Sequence, residues 1–84
     1  MNYVYIVRCS DNSLYTGRTN NLQKRIETHN SGKGAKYTRS RLPVKLVYKK
    51  EFETKNDALK YEKKIKSLKK SKKEELVLSY NEDI

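Results

Sequence analysis

Residues 3–8, Tyr-Val-Tyr-Ile-Val-Arg, are apolar or aromatic at every position except the last. β-Branched and aromatic residues favour a strand. Strand alternation puts Tyr3, Tyr5 and Val7 on one face and Val4 and Ile6 on the other. Both faces are apolar, so this strand has to be central and covered on both sides. That is demanding for a chain of 84 residues with 35% hydrophobic and 36% charged side chains. The core is thin and suffices for one domain, residues 1–84. Seven tyrosines help to fill it, each burying a ring while its hydroxyl keeps a polar partner.

Ser10-Asp11-Asn12-Ser13 is a turn cluster, and a second strand follows from Leu14 to Gly17, so residues 3–17 read as a β-hairpin. Tyr5 and Tyr15 come close across or diagonal to that pair. A helix over 21–29 carries Leu22 and Ile26 on one face, with Asn20 or Asn21 as N-cap and a Gly at its end, Gly32. Residues 32–41 read as a loop. Its two glycines do not make a P-loop, because no Gly-Lys-Ser/Thr is present. Pro43 opens a third strand, in which Val44, Leu46 and Tyr48 alternate with Lys45, Val47 and Lys49. Thr54 with Asp57 at N3 starts the main helix, whose stripe is Ala58, Tyr61, Ile65 and Leu68. Ser71 and Glu74 form a capping box for a last helix, and the acidic tail 81–84 frays.

The stretch 15–29 is the densest in chemistry. At about 100° per residue, Arg25 and His29 fall on the side of the helix that carries Leu22 and Ile26. One reading is an Arg snorkelling at the rim and a His with a satisfied core hydrogen bond; the other is a functional pair. Glu62 lies at the rim of the main helix's buried face and is the one acid between Lys60 and Lys73. It is either an i,i+4 partner of Lys66 or a site carboxylate.

The formal net charge of +10 calls for an anionic partner, with nucleic acid first, an anionic membrane surface second and acidic protein third. The membrane reading is the weaker, because the main helix's stripe carries no Trp or Phe. A single cysteine, Cys9, excludes an internal disulfide and a Cys-based zinc site. The N-terminal apolar run is too short for a signal peptide or a membrane span, which points to the cytoplasm.

Tyr3-Val4-Tyr5, then Tyr15-Thr16-Gly17, then Arg25, His29 and Glu62 resemble the GIY-YIG nuclease superfamily, and within it the small stand-alone bacterial proteins. The segment Gly32–Arg39 and the helix Ala58–Ile65 are similar as well. The half-motifs read Tyr-Val-Tyr and Tyr-Thr-Gly where the family name has Gly-Ile-Tyr and Tyr-Ile-Gly; the tyrosines and the second Gly are kept. The resemblance implies an α+β fold, a small three-stranded antiparallel sheet flanked by helices. It implies a metal-dependent DNA nuclease in repair or recombination. Tyr15 would be the general base, with Arg18 where relatives often hold a Lys close to that hydroxyl. Arg25 would bind the scissile phosphate, and Glu62 would hold one Mg²⁺ or Mn²⁺. Tyr5 would orient water or phosphate, and His29 would contact phosphate or relay a proton. Tyr37, Arg39, Arg41, Lys66 and Lys69 would track the DNA backbone. Many members carry a supporting Asn near the C-terminus; the distance of Asn81 from Glu62 does not match it. The alternative is a basic nucleic-acid-binding module of the same fold without cleavage. The chain carries no second recognition domain, so it would either work through a partner protein that supplies substrate specificity or bind DNA with little sequence preference.

Overall fold

A computed structural model of the chain describes residues 1–82. The elements are β1 (Asn2–Arg8), β2 (Leu14–Thr19), α1 (Leu22–Asn30), the helical turn α2 (Lys36–Arg39), β3 (Lys45–Phe52), α3 (Lys55–Lys66) and α4 (Lys70–Glu82). The strands form one antiparallel sheet in the order β2-β1-β3, an α+β fold.

β1 is central, as its two apolar faces require, and Val4, Tyr5, Ile6 and Val7 are all fully buried. The sheet divides the core in two. On one side Tyr5, Val7, Cys9 and Val44 pack with Leu22 and Ile26 of α1. On the other, Ile6, Tyr48, Ile65 and Val77 pack with Tyr61 of α3 and Leu76 and Tyr80 of α4. The hairpin turns through Ser10, Asp11 and Asn12, with Asn12 in the left-handed region (φ 71°), which Asn tolerates.

The helix starts read from sequence form at two of three places. The Asn21 side chain accepts from Lys24 N (3.1 Å), and Thr54 Oγ1 accepts from Asp57 N (3.1 Å). α1 ends in a full Schellman motif on Gly32 (φ 81°): Gly32 N donates to His29 O (3.1 Å) and Lys33 N to Thr28 O (3.2 Å). The third start differs. α4 begins at Lys70, and the N–H groups of Lys72 and Lys73 donate to Lys69 O at 3.0 and 3.1 Å. Ser71 therefore lies inside the first turn. Glu74 is held by the Arg8 guanidinium (2.6 and 2.9 Å), a stronger partner than a backbone N–H.

Two further expectations change. Residues 36–39, read as loop, form α2, which is too short to show periodicity. In β3 the register slips, with Ile6 opposite Tyr48 but Val7 opposite Leu46. Val47 is the extra residue of a bulge, so the alternation Val44, Leu46, Tyr48 breaks. Leu46 packs on the α1 side, whereas Val47 and Tyr48 both pack on the α3/α4 side. Of the tail, α4 continues through Glu82, and residues 83 and 84 lie outside the described residues. Among the described residues no helix is long and apolar enough to cross a membrane.

Candidate active site

The hairpin register decides which site residues share a face. Tyr5 is opposite Gly17 and Val7 opposite Tyr15, which places Tyr5 and Tyr15 on the α1 side of the sheet. Val4 is opposite Arg18, which places Arg18 on the α3 side. β2 is an edge strand, so the candidate residues wrap around one rim of the sheet.

On the α1 side, Arg25 and His29 converge on the Tyr5 hydroxyl. Arg25 Nε donates to Tyr5 Oη at 3.3 Å, and His29 Nε2 lies 2.8 Å from the same oxygen. His29 Nδ1 lies 3.0 Å from Thr38 Oγ1 of α2, and that hydroxyl is 2.9 Å from the Ala35 carbonyl. The Tyr5 ring fits only because position 17 is glycine, since a Cβ there would lie 2.6 Å from Tyr5 Cζ. Gly34 is needed for the same kind of reason: a Cβ there would lie 2.8 Å from the Cα of His29.

Burial sets two of these residues back from the surface. Tyr5 and His29 are both fully buried, so neither reaches a phosphate at the surface. Burial raises the Tyr5 pKa above that of a free phenol, outweighing the Arg25 bond and charge that lower it; Tyr15 and Glu62 raise it further. Tyr5 thus stays a neutral hydroxyl that donates inward and accepts from Arg25, and it is no base. Burial, then the Arg25 charge, lowers the His29 pKa below the ordinary histidine value. The aromatic groups around the imidazole are Tyr5 of β1 and Tyr15 of β2, both edge-on.

This has a consequence for pH. The unfolded chain binds a proton at His29 near the ordinary pKa of about 6.5, whereas the folded chain binds it only at lower pH. The stabilisation is complete above that value and is lost as pH falls toward the folded pKa. The melting temperature is therefore expected to fall between pH 7.5 and 5. A His29→Gln protein should show a flatter dependence over that window. Loss of the lowered Asp11 and Glu74 carboxylates belongs to a more acid range.

Arg25 is half-buried, with its guanidinium tip beside a polar groove of about 260 Å³ lined by Thr19, Asn20, Asn21, Lys24 and Thr28. Tyr15 stacks on Tyr37 (centroids 6.0 Å apart, 20° between planes). With Leu14, Thr16, Lys66 and Lys73 this pair lines a second groove, of about 250 Å³.

Arg18 does not sit beside the Tyr15 hydroxyl. A step of three along a strand reverses the face, and Arg18 Nε lies 3.5 Å from Glu62 Oε1. The lysines that line a groove with Tyr15 are Lys66 and Lys73. Glu62 is one-sixth exposed and is held on its other oxygen by Lys66 at 3.1 Å. Glu62 is thus the i,i+4 partner of Lys66, and it faces Arg18 of β2 as well. Among the described residues no cluster of three or more His, Cys, Asp or Glu gathers. A lone, accessible carboxylate does not make a zinc or calcium cage. It does fit a hard divalent ion that keeps most of its waters and reaches the protein through one oxygen. Arg18 Nε is buried and makes no hydrogen bond, so its contact with Glu62 is an ion pair at 3.5 Å without a hydrogen bond.

Tyr37, Arg39, Lys66 and Lys69 are exposed. Arg39 Nε donates to Gly34 O at 3.1 Å. Arg41 is more occupied than expected: it pairs with Asp11 (3.0 Å), donates to Tyr37 O (2.7 Å) and lies over the Tyr37 ring (4.0 Å). Its first task is holding the loop. The Asn81 side chain lies outside the described residues. Thr38 was not singled out by sequence, because a threonine in a polar loop gives no local signal that it will be buried against a histidine nine residues away.

Residues 1–75 match the GIY-YIG catalytic domain. The chain is 60% identical over 79 residues to a UPF0213 protein of Clostridium perfringens, covering 94% of this chain and 85% of that one. The solution NMR structure of a UPF0213 protein from Bacillus halodurans is 51% identical and superposes with a TM-score of 0.60, over 92% of this chain and 83% of that one. A second NMR structure, from E. faecalis, is 38% identical with a TM-score of 0.63, over 94% and 84%.

Proposed function

Because the chain belongs to the GIY-YIG family, we propose that it is a divalent-metal-dependent nuclease acting on DNA phosphodiesters in the cytoplasm, in repair or recombination. The observation that carries this reading is Arg25. Its Nε is committed to the buried Tyr5 hydroxyl, which leaves the terminal nitrogens of a permanently charged, planar fork for two phosphate oxygens.

The other parts follow from the same rim. Tyr15 is the general base toward water. Lys66 and Lys73 line the same groove as Tyr15. Glu62 is the residue that would hold Mg²⁺ or Mn²⁺, which when bound supplies charge neutralisation at the leaving 3′ oxygen. A phosphate entering the rim draws Lys66 and Arg18 from Glu62, since both cations prefer the added negative charge. Tyr5 and His29 position Arg25. Tyr37, Arg39 and Lys69 follow the flanking backbone, with Arg41 behind Tyr37. A partner protein contributes substrate choice.

The test is cleavage of supercoiled plasmid, a flap and a four-way junction with Mg²⁺ or Mn²⁺, alongside Glu62→Gln. Wild type is expected to cut, EDTA to stop it, and Glu62→Gln to lose about 10³-fold in rate, on the scale of removing one main charge-stabilising group. Binding should survive the substitution. Binding should also be strongly salt-dependent, weakening by about 10³-fold between 50 and 200 mM salt if some six phosphates are contacted. Equal binding with no cleavage by either protein overturns the nuclease assignment in favour of a basic binding module.

A further inference from the structure

We propose that Thr38 is a positioning residue that aims the Arg25 guanidinium, acting through His29 and Tyr5. The inference rests on the nuclease reading only for what Arg25 binds.

The hydrogen bonds from α2 to Arg25 form one chain, and its direction is fixed at the far end. The Ala35 carbonyl can only accept, so the Thr38 hydroxyl, 2.9 Å away, donates its single proton there. Toward His29 Nδ1, at 3.0 Å, Thr38 Oγ1 can then only accept. Nδ1 must carry the imidazole proton. In the neutral ring, which burial favours, Nε2 is left as an acceptor. The Tyr5 hydroxyl, 2.8 Å from Nε2, therefore donates to it. That turns the Tyr5 lone pairs toward Arg25, whose Nε–H they accept at 3.3 Å. Every polar atom in the chain is satisfied, and each link permits one polarity only.

Removing the Thr38 hydroxyl releases this constraint. Nδ1–H is then buried with no acceptor, and moving its proton to Nε2 restores one, the Tyr5 oxygen. The Tyr5 proton must then turn away from His29, and the direction open to it is toward Arg25. Two donors face each other and the guanidinium swings off its anchor. The effect reaches Arg25 without any contact between Thr38 and Arg25. Because α2 presents Tyr37 and Arg39 to solvent on either side of the buried Thr38, the same turn that meets the nucleic-acid backbone sets the aim of the phosphate fork. The N–H at Nδ1 is set by its neighbours, Thr38 on one side and the Arg25-bonded Tyr5 hydroxyl on the other, and is not a property of the imidazole itself.

The variants are Thr38→Val, which keeps the shape and drops the hydroxyl, and Thr38→Ser, which keeps the hydroxyl. Nitrogen-15 NMR of the single histidine, His29, reads the tautomer, and the Arg25 Nε–H resonance reads the anchor. Wild type and Thr38→Ser are expected to show the Nδ1–H form. Thr38→Val should shift to Nε2–H and move the Arg25 Nε–H resonance. Cleavage by Thr38→Val should fall about 10- to 100-fold at DNA affinity within twofold, with Thr38→Ser close to wild type. A Thr38→Val protein that keeps the Nδ1–H form, or that changes tautomer while the Arg25 resonance stays in place, overturns the proposal. So does an Nε2–H form in the wild type, an outcome that stands even if Thr38→Val fails to fold. If wild type cuts no substrate, the nuclease reading falls, and the two NMR readouts still decide the role of Thr38.

Discussion

A Gly17→Ala protein is expected to lose about 3 kcal/mol or more of stability, the upper part of the range for overpacking a core, or about 15 °C in Tm for a domain of this size. The sign is the informative part. Gly17 has no positive φ, and at such a position Gly→Ala ordinarily stabilises by about 0.4–1 kcal/mol, through a less flexible unfolded chain. Here the added methyl would lie 2.6 Å from Tyr5 Cζ, opposite it across the hairpin. Tyr5 has little freedom to yield, because its ring is fully buried and its hydroxyl is bonded to His29 and Arg25. Urea or thermal unfolding checks this, and an unchanged or higher midpoint would mean that the ring moves aside freely. Gly32→Ala is the useful comparison. It stands at φ 81° with open space around it, the nearest heavy atom being 4.0 Å away. Its cost should be the left-handed backbone alone, about 1–2 kcal/mol.

The second large effect is on rate. Arg25→Lys keeps the charge, so DNA affinity and its salt slope should barely change. The cleavage rate should nevertheless fall by about 10²–10³-fold, the scale of losing one preorganised group at a developing charge. An ammonium carries its three N–H groups on one tetrahedral nitrogen, so it cannot anchor on Tyr5 and still present the planar two-nitrogen fork that matches two phosphate oxygens. Steady-state cleavage beside a binding isotherm separates the two quantities. A Lys protein that cuts within a few-fold of wild type would show that the fork is not what the reaction uses.

Much of this arrangement is legible in the sequence where the signal is local. The doubly apolar run of β1, the Asn21 and Thr54 caps and Gly32 at the end of α1 each carry their reason within a few residues. So does the order Tyr5, Tyr15, Gly17, Arg25, Glu62, which points to one family. What is not legible depends on contacts between distant segments. The bulge at Val47 is invisible in a strand that alternates well by itself. The Ser71 capping box is chemically sound, but Glu74 is claimed by Arg8, sixty-six residues away. Arg18 looks like a neighbour of Tyr15 in sequence and faces the other side of the sheet in space. Tyr5 and His29 stand out in sequence, yet only the fold reveals that both are fully buried and that the Tyr5 hydroxyl meets both His29 and Arg25.

The central position of β1 also governs when the chain can fold during its synthesis. Of the elements described, β1 is made before the others, and the hairpin with β2 can close early. Its other neighbour, β3, comes some forty residues later: Ile6 lies opposite Tyr48. The side chains that cover Ile6, namely Ile65 and Val77, come later still. A chain stopped after α1 would have covered one face of its first strand and left the other bare. Pairing that waits on distant partners is slow, and strand surface exposed meanwhile invites association. The lysines that crowd α3 and the start of α4 are thus the last positive charges to arrive, after the apolar strand has waited longest for its cover.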